Sequence, residues 1–467
     1  MAAVPLTAAD VATAVSGRIV SGSGSAPVGR ISIDSRTMGG GDFFIAIRGE
    51  RFDGHRFVQA AFDKGALGAL VDDVGAAGAL SQDALVIEAR DTTKALQDLA
   101  RDVRRRSGAR LVAITGSAGK TTTKELCAEL LSARYRVFRN KGNLNNHIGL
   151  PLSLLELRAG PEAAVVELGM NHPGEIRTLV DIAEPDVRVW TNVGDAHIGF
   201  FASADAIADA KSEILDGAGP ANVLVANADD SRVMSRVGAF AGRTMTFGIQ
   251  NPADVRASQV ETLGVDGLRA SVQTPAGSFR LSTSLLGLGN LANVLAATAV
   301  AVTFDVPVDE IAARASGLRP AHHRGELLRL PGGVTLIDDS YNSSPSALKR
   351  ALEIIHSATG SARKIAVLGE MLELGEHAAA LHRDSGRAAQ AAGLDGLVVV
   401  GGAAAAELAE GAREAGMPAA QMVLVGDREQ AIHEVLERVR PGDLVLVKGS
   451  RGIGLDAVVE RLKAEFA

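Results

Sequence analysis

Short apolar runs bounded by glycine, proline, asparagine or aspartate recur along the chain and alternate with helical patterns from residue 111 onward. Runs of this length indicate buried strands, and their alternation with helices predicts parallel sheets covered by helices. The first group of runs lies at 111–114, 163–168, 187–193 and 223–226. A second group, which predicts a further doubly wound unit, lies at 334–337, 365–368, 397–400, 422–425 and 444–447.

The residues before this alternation hold a different set of short elements. Segments 31–36 and 42–47 are candidate strands, and the pattern after Asp91 predicts a helix. A chain of 467 residues is too long for one ordinary core. We therefore predict an α/β protein of three domains: a small N-terminal α/β domain at 1–106, a central domain with a mainly parallel sheet at 107–316, and a Rossmann-like doubly wound C-terminal domain at 317–467.

Composition narrows the class of protein. A hydrophobic content of 46% with 22% charged residues is typical of a soluble globular protein. The net charge of −7 argues against nonspecific nucleic-acid binding as the main activity. Cys127 is the only cysteine, so no intrachain disulfide can form, which fits a reducing cytosol. With no signal-peptide pattern and no apolar run of membrane-spanning length, we expect a cytoplasmic protein without membrane insertion.

The segment TGSAGKTTTK at 115–124 directly follows the apolar run 111–114. A strand, a glycine-rich turn and Lys-Thr at the start of a helix form a nucleotide-binding P-loop, in which backbone N–H groups face the phosphates. Lys120 would neutralise phosphate charge and the Thr121 hydroxyl could ligate Mg²⁺. The predicted nucleotide-binding residues of this segment are Gly116, Ser117, Ala118, Gly119, Lys120, Thr121 and Thr122.

One position departs from the longer P-loop pattern. GxxxxGK[ST] requires glycine at position 114, where this chain has Ile114, so the match is to a shorter GxxGK[ST] variant. Glycine-rich turns also precede helices in proteins that bind no phosphate. A chance match is therefore the alternative to a nucleotide site.

Three further residues are candidates for a metal or catalytic site. Glu167 lies near the end of one predicted strand, and His197 follows another, where ligands gather in open α/β sheets. Lys211 shares an apolar helical face with Ile207 and Ala210. Each has a structural alternative: the Glu can cap a helix, the His can be structural, and the Lys can extend its ammonium to water. A desolvated Lys211 could instead become an N-carboxylated, metal-ligating anion.

Several segments together resemble the Mur ligases, the ATP-dependent amino-acid ligases of peptidoglycan precursor synthesis. The resemblance covers nearly the whole chain. It is carried by DSR (34–36), FDGHRF (52–57), TGSAGKTTTK, NKGNLNNHIGLP (140–151), VVELGMNHPGEI (165–176), TNVGDAHIGFF (191–201), Lys211, DDSYNSSP (338–345), LGEMLELGEHA (368–378) and VLVKGSRGIG (445–454). The C-terminal segments are similar to those of the members that add D-alanyl-D-alanine.

The resemblance implies roles for the site residues. Lys120, His197 and Lys211 would be catalytic, and two Mg²⁺ ions would be held by Thr121, Glu167, His197 and a carbamylated Lys211. Nucleotide contacts are implied for Asn290, Asn293, Arg324 and Asp339, and contacts to substrate for Tyr341 and Asn342. Gly289 stands where the family's GxHNxxN segment has histidine, so this chain lacks whatever contact that histidine supplies. For Asp339, Tyr341 and Asn342, a capped strand-to-helix turn is the alternative.

The remaining substrate candidates are polar residues in loops. Ser35 and Arg36 of the N-terminal domain, which the resemblance makes a UDP-sugar-binding domain, could contact uridine or diphosphate, or form an ordinary surface turn. Asn145, Asn146 and His147 cluster between a strand and the helix start at Pro151. The carboxylate of an incoming dipeptide could be bound by Lys448, Ser450 and Arg451. A solvated loop is the alternative for these three residues.

The expected activity is ATP-dependent joining of D-alanyl-D-alanine to UDP-N-acetylmuramoyl-tripeptide through an acyl phosphate, by a monomer. A ligase that adds the third amino acid is the nearest rival, but its expected Asp-Asn-Pro-Arg segment does not occur here. A folylpolyglutamate synthase leaves DSYNSSP and the N-terminal domain unexplained. A regulatory P-loop ATPase is the rival from another class. Whether the tripeptide ends in diaminopimelate or lysine is not readable from the sequence.

Overall fold

A computed structural model describes residues 3–49, 52–75 and 84–467. The strands form three sheets, and the three-domain α/β fold predicted from the sequence is confirmed. The boundaries at 106/107 and 316/317 remain predictions. Proximity of the backbone in space also defines two compact units. The first unit comprises Met1–Ala113, Tyr135–Arg188 and Glu213–Asn222, and the second comprises Ile114–Arg134, Val189–Ser212 and Val223–Ala467.

The N-terminal segment forms a five-stranded sheet in the order β1-β5-β4-β3-β2. All neighbouring strands are parallel except β1, which runs antiparallel to β5. Phe44 and Val86 of the sheet are buried in one cluster with Val58 of the second helix. The elements are α1 (Ala8–Ala14), β1 (Arg18–Ser21), β2 (Ile31–Ser32), β3 (Phe43–Ile45), α2 (Val58–Asp63), β4 (Gly68–Val71), β5 (Leu85–Glu88) and α3 (Thr92–Ser107).

Local capping explains where two of these elements end or begin. The strand expected over 31–36 is shorter because the Asp34 side chain accepts a hydrogen bond from the Arg36 amide and starts a 3₁₀ turn. The helix predicted after Asp91 is α3, and the Asp91 carboxylate accepts from the Lys94 amide at its N-terminus. In both cases a side-chain carboxylate accepts a hydrogen bond from a nearby backbone N–H group, in competition with backbone acceptors.

The middle segment contains strands buried on both faces and a later antiparallel group. Strands β7 and β8 of the first unit are parallel. In the second unit β10, β11 and β12 are parallel neighbours, followed by antiparallel β13 and β14. The elements are β6 (Arg110–Thr115), α4 (Lys120–Leu131), β7 (Val137–Arg139), α5 (Gly149–Leu154), β8 (Ala163–Glu167), α6 (Glu175–Ala183), β9 (Val187–Trp190), α7 (Ala204–Ser212), β10 (Val223–Asn227), α8 (Ser231–Met234), β11 (Arg243–Gly248), β12 (Val255–Thr262), β13 (Leu268–Thr274), β14 (Gly277–Thr283), α9 (Gly287–Thr303) and α10 (Val308–Ala315).

The C-terminal segment is the doubly wound unit that the second group of apolar runs predicts. Its strand order is β15-β16-β20-β17-β18-β19, with only the β15–β16 pair antiparallel. Val367, Val398 and Val447 of the sheet pack with Val435 and Val459 of two covering helices. The elements are β15 (Glu326–Arg329), β16 (Thr335–Asp339), α11 (Pro345–Ser357), β17 (Lys364–Gly369), α12 (Ala378–Ala391), β18 (Gly396–Val400), α13 (Ala403–Glu414), β19 (Met422–Val425), α14 (Arg428–Arg438), β20 (Leu444–Lys448) and α15 (Asp456–Glu465).

Throughout the described ranges, none of the helices combines the length and the apolar character that crossing a bilayer requires.

Candidate functional site

The P-loop is built around two glycines that no other residue could replace in this backbone. Gly116 follows β6 with φ +149°, and a β-carbon there would lie 1.9 Å from the Thr191 Oγ1. Gly119 precedes α4 with φ +85°, and a β-carbon there would lie 2.4 Å from the Asn293 Oδ1. Close backbone approach and left-handed conformation both require glycine here. The loop is therefore a shaped cradle at the start of α4.

A side chain that sequence analysis assigned no role holds the cradle in place. The Asn192 Oδ1 accepts from the Ala118 amide at 2.9 Å, while its Nδ2 donates to the Ala118 carbonyl at 2.9 Å. The Asn192 carbonyl accepts from the Ser117 amide at 3.0 Å. The Thr191 hydroxyl adds a 2.8 Å bond to the same Ala118 carbonyl. Asn192 follows β9, so its place at a strand end was the available sequence signal.

The start of α4 presents the groups expected to face phosphates. Lys120 is partly buried, and its Nζ donates to the Gly116 carbonyl at 2.8 Å across the loop. Gly119 at the N-cap has no side chain to take up the first-turn amides, which leaves the helix terminus suited to an anion. Thr121 is partly buried and Thr122 is buried on this first turn.

Helix α9 brings both predicted asparagines to the P-loop. The Asn293 Oδ1 accepts from the Thr123 hydroxyl of α4 at 3.2 Å. Its Nδ2 donates to the Asn290 Oδ1 at 3.2 Å, and the Asn290 Nδ2 donates to the Leu286 carbonyl at 2.9 Å. The pair is thus oriented by a chain of hydrogen bonds that ends at the nucleotide cradle.

In the first unit, Glu167 lies at the end of β8 and is 5% exposed. Its Oε1 accepts from the Asn145 Nδ2 at 2.7 Å, and its amide donates to the Asn140 Oδ1 at 3.2 Å. A β-carbon on Gly169 would lie 2.9 Å from the Asn145 side chain, so glycine leaves room for that amide. Asn145, predicted as a substrate residue, is seen here to orient the Glu167 carboxylate.

Its two neighbours are placed differently. The Asn146 Oδ1 accepts from the Ile148 and Gly149 amides at 3.2 and 2.8 Å, at the start of α5. The His147 side chain is exposed, and its carbonyl accepts from the Gln97 Nε2 at 3.1 Å. The contacts of Asn146 are those of a turn, whereas the His147 ring faces solvent.

In the second unit, His197 has a left-handed backbone (φ +66°), and its Nδ1 lies 2.7 Å from the Glu373 Oε2. The hydrogen bond from His197 lowers the pKa of Glu373. The Glu373 carbonyl also accepts from the Gly199 amide at 3.0 Å. Glu373 lies in the segment 368–378 that carries part of the resemblance, but its partner could not be read from the sequence.

Lys211 is buried in α7 at 1% exposure, beside the buried Ile207 and Ala210. The shared apolar face is therefore as the sequence predicted. At this exposure the ammonium does not extend to water, which was the structural alternative. This burial is the environment that the carbamate prediction requires, and the modification itself stays a prediction.

Three side chains of the C-terminal segment form an aromatic and cationic cluster. The Arg324 guanidinium carbon lies 4.1 Å from the centroid of the Tyr341 ring, and that of Arg451 lies 5.4 Å from the same centroid. Both distances are within the range of a cation–π contact. The predicted nucleotide residue Arg324 and the predicted substrate residue Tyr341 are thus brought together.

Lys448 connects two other predicted residues. Its Nζ donates to the Asp339 Oδ2 at 2.5 Å and to the Asn342 carbonyl at 3.0 Å. Lys448 is 3% exposed, and burial lowers its pKa although Asp339 opposes the shift. Ser450 is also buried, and its hydroxyl accepts from the Leu372 amide at 2.9 Å. These contacts exclude a solvated loop for both residues.

Ser35 and Arg36 lie in the first unit. Ser35 opens a 3₁₀ turn and is partly buried. The exposed Arg36 donates to both carboxylate oxygens of Asp34, at 2.9 and 2.8 Å, and this pairing lowers the pKa of Asp34 to about 2. The geometry is that of a surface turn with its cation held by a neighbouring carboxylate.

Within the ranges that the structure describes, no three His, Cys, Asp or Glu side chains group as a metal site. The expected set contains only two residues of those types, Glu167 and His197, with Thr121 and a modified Lys211 completing it. Its assignment therefore stays a prediction.

Comparison with known proteins identifies the family. Residues 27–104 match a model described as "Mur ligase family, catalytic domain", 114–301 match "Mur ligase middle domain", and 323–451 match "Mur ligase, glutamate ligase domain". Two relatives are named UDP-N-acetylmuramoyl-tripeptide--D-alanyl-D-alanine ligase. The Bacillus subtilis protein is 34% identical over 92% of either chain, and the Synechocystis protein is 35% identical over 94% of this chain and 92% of its own.

Solved structures agree with these sequence matches. MurF from Acinetobacter baumannii is 30% identical, covers 99% of this chain and 100% of its own, and superposes with a TM-score of 0.89. MurF ligase from Thermotoga maritima, solved in complex with ADP, is 30% identical over 94% of this chain and 97% of its own, with a TM-score of 0.82. The chain therefore belongs to the Mur ligase family and is a ligase enzyme, as its sequence predicted.

Proposed function

We propose that this ligase joins D-alanyl-D-alanine to UDP-N-acetylmuramoyl-tripeptide at the expense of ATP, in peptidoglycan precursor synthesis. Relatives with this printed name match over more than nine-tenths of the chain. The observation that carries the chemistry is the P-loop cradle, in which Gly116 and Gly119 admit no β-carbon and Asn192 fixes the intervening backbone.

The reaction needs two steps because a carboxylate is a poor electrophile. The terminal carboxylate oxygen of the tripeptide takes the γ-phosphoryl group of ATP, which releases ADP and gives an acyl phosphate. The amine of D-alanyl-D-alanine then attacks the acyl carbon and loses a proton, and the bond to phosphate breaks. No covalent protein nucleophile is required, which agrees with the buried thiol of Cys127, whose pKa is raised by burial.

Some backbone amides of the cradle are bonded within the protein, and others would bind the phosphates. Asn192 takes up the amides of Ser117 and Ala118, so phosphate oxygens would be bound by the amides that follow, at 119–122. The Lys120 ammonium, which lies on the Gly116 carbonyl, would turn from that weak acceptor to the phosphate charge. Lys120 would thereby stabilise the transferring group.

The donor set fits magnesium. Mg²⁺ prefers oxygen ligands, which the Thr121 hydroxyl, the Glu167 carboxylate and a Lys211 carbamate would supply. Asn145 orients the Glu167 carboxylate, and Glu373 on Nδ1 of His197 leaves its Nε2 for a ligand. When bound, two Mg²⁺ ions would neutralise charge on the phosphates and the acyl phosphate.

The carbamate would form on Lys211 with dissolved CO₂ as the only other reactant. Its neutral amine nitrogen attacks CO₂, a nitrogen–carbon bond forms, and one proton leaves to give a carboxylate. The burial of Lys211 supports this proposal. The product carries a negative charge, so a lysine that would repel a metal ion becomes a ligand for one.

The other predicted residues are assigned by their contacts. Arg324, Asn290 and Asn293 would bind the nucleotide together with Asp339, which Lys448 holds in place. Tyr341, whose ring contacts two guanidinium groups, and Asn342 would meet the incoming amine. Ser35 and Arg36 would contact the UDP part of the substrate. Asn146 and His147 would lie beside its peptide.

The test is phosphate release by the purified chain with ATP and Mg²⁺. Release should require both D-alanyl-D-alanine and a UDP-N-acetylmuramoyl-tripeptide, and tripeptides ending in diaminopimelate or lysine would be compared. Lys120→Ala is the inactive control. Stimulation by free diaminopimelate or by glutamate instead of the dipeptide would favour one of the two rival ligases. We place the reaction in the cytoplasm and propose a monomer, which light scattering would test.

A further inference from the structure

One face of α11 packs against three glycines. Ser346, Arg350 and Ile354 follow one another at intervals of four residues, so they share that face. A β-carbon on Gly194 would lie 3.0 Å from the Ser346 Oγ, one on Gly289 would lie 3.3 Å from the Arg350 Cδ, and one on Gly287 would lie 3.0 Å from Ile354. The close packing of α11 therefore depends on the absence of side chains at these three positions.

Two of these glycines connect the face to the nucleotide cradle. The Gly194 amide donates to the Ser117 Oγ at 2.8 Å, and that hydroxyl also lies 3.2 Å from the Gly194 carbonyl. Gly289 directly precedes Asn290, whose partner Asn293 lies against Gly119. Arg350 thus packs against the residue that directly precedes the hydrogen-bonded asparagines of α9.

The hydrogen-bond donors of the Arg350 guanidinium are unpaired within the described part of the chain. Arg350 is partly buried, and among the residues that the structure describes it makes no salt bridge or side-chain hydrogen bond. Burial lowers its pKa, while the nearby carboxylates of Glu353, Asp339 and Asp195 oppose that shift. A guanidinium stays charged in any case and offers five donors in a plane. Those donors are available to a ligand at this edge of the cradle.

We propose that Arg350 binds the nucleoside part of ATP and occupies the space that a histidine at position 289 would fill. Phosphates belong at the cradle beside Gly119, which Asn293 contacts. Position 289 lies four residues before Asn293 on α9, about 6 Å along the helix axis from the cradle. A ligand group at that distance is the ribose or base. A guanidinium plane can stack on a purine or donate to its ring nitrogens and to ribose hydroxyls.

Gly289 is part of the same arrangement. With a side chain at 289 the β-carbon would press on the Arg350 Cδ at 3.3 Å, so the glycine makes room for the arginine stem. The inference rests on the proposed function only in that ATP is the nucleotide. Its test measures nucleotide binding without any peptide substrate, so its failure leaves the ligase reaction standing.

The experiment compares ADP and pyrophosphate binding by calorimetry, with Mg²⁺, in Arg350→Ala and in Lys349→Ala. Lys349 is exposed on the same helix and is the matched control. The Kd for ADP should rise about tenfold in Arg350→Ala and stay unchanged in the control, while the Kd for pyrophosphate should not move. Equal losses for both ligands would place the contact on the phosphates and overturn the proposal. Unchanged ADP binding would make Arg350 a packing residue only.

Two further variants separate the role of the guanidinium from packing and test the exchange of histidine for arginine. Arg350→Met keeps the aliphatic contact with Gly289 but lacks the guanidinium, so it should bind ADP as weakly as Arg350→Ala even if the alanine variant is poorly folded. The double variant Gly289→His with Arg350→Ala should regain at least part of the lost ADP affinity. Failure of both single variants to weaken ADP binding, or of the double variant to regain it, would contradict the exchange of histidine for arginine.

Discussion

The Nδ1 of His197 and the Oε2 of Glu373 lie 2.7 Å apart, although 176 residues separate them in the chain. The contact fixes which ring nitrogen of His197 faces away from the carboxylate. The Glu373 carbonyl holds the same loop through the Gly199 amide. A residue with no predicted role thus positions one of the predicted catalytic residues.

Glu373→Gln should lower kcat about ten- to a hundredfold, because an outer partner orients the imidazole of a ligand histidine.

The pH dependence of stability follows from the lowered pKa of Glu373. A depressed folded-state pKa stabilises the protein above the ordinary glutamate value of about 4.3, and that contribution is lost as pH falls through the folded-state value. Thermal unfolding of wild type and variant should differ at pH 6 and converge as the pH falls through that folded-state value. Glu376→Gln, on an exposed neighbour, is the control, and a constant difference across pH would contradict the account.

Asn192→Ala should loosen the nucleotide cradle. The substitution removes two hydrogen bonds to Ala118, and each is worth about 1 kcal/mol net. We expect the Kd for ADP, measured by calorimetry, to rise at least about five- to tenfold. Asn251→Ala removes a comparable 2.9 Å bond to the Ala228 carbonyl and should leave ADP binding unchanged. Equal effects of the two variants would show that Asn192 supports stability alone.

Asn145→Ala should raise the Mg²⁺ concentration needed for half-maximal activity, because the Glu167 carboxylate loses the amide that orients it. Asn146→Ala is the matched control. It removes acceptors from the Ile148 and Gly149 amides and should cost about 1 kcal/mol of stability without changing the Mg²⁺ requirement. Titration of activity with Mg²⁺ distinguishes them, and an unchanged curve for Asn145→Ala would argue that Asn145 acts on substrate instead.

Lys211→Ala should be nearly inactive and partly recovered by added short carboxylates, which would replace the carbamate. Wild-type protein equilibrated with ¹³C-bicarbonate should show a carbamate carbon signal by NMR that Lys211→Ala lacks. Full activity of the variant, or an identical spectrum, would remove the carbamate from the account.

The sequence predicted strands such as β8 and β10 because full burial leaves an unbroken apolar run. The parallel strands β4, β5, β7 and β11 were not among the predicted runs. Strands β18 and β20 match their predicted runs to within one residue. The sequence analysis did not identify β13, whose buried and exposed positions alternate in the manner of a strand with one buried face. Polar and apolar residues there are mixed, and the signal is correspondingly weaker.

The site was predicted only where a local motif marks it. The P-loop segment 115–124 is contiguous, and strand ends indicated Glu167 and His197. Asn192 was marked only by its place at a strand end, and no local pattern marked Glu373 or Arg350. All three residues contact partners far along the chain. Contacts of that kind depend on the packing of separate elements, which a single sequence does not specify.

The central claim is ATP-dependent ligation of D-alanyl-D-alanine to a UDP-linked muramoyl tripeptide. The most direct measurement follows phosphate release and product mass in one reaction that contains ATP, Mg²⁺, UDP-N-acetylmuramoyl-tripeptide and D-alanyl-D-alanine. The account predicts one phosphate per UDP-N-acetylmuramoyl-pentapeptide formed, and neither product when the dipeptide or the tripeptide is omitted or when Lys120→Ala is used. Phosphate release that does not respond to D-alanyl-D-alanine would contradict it.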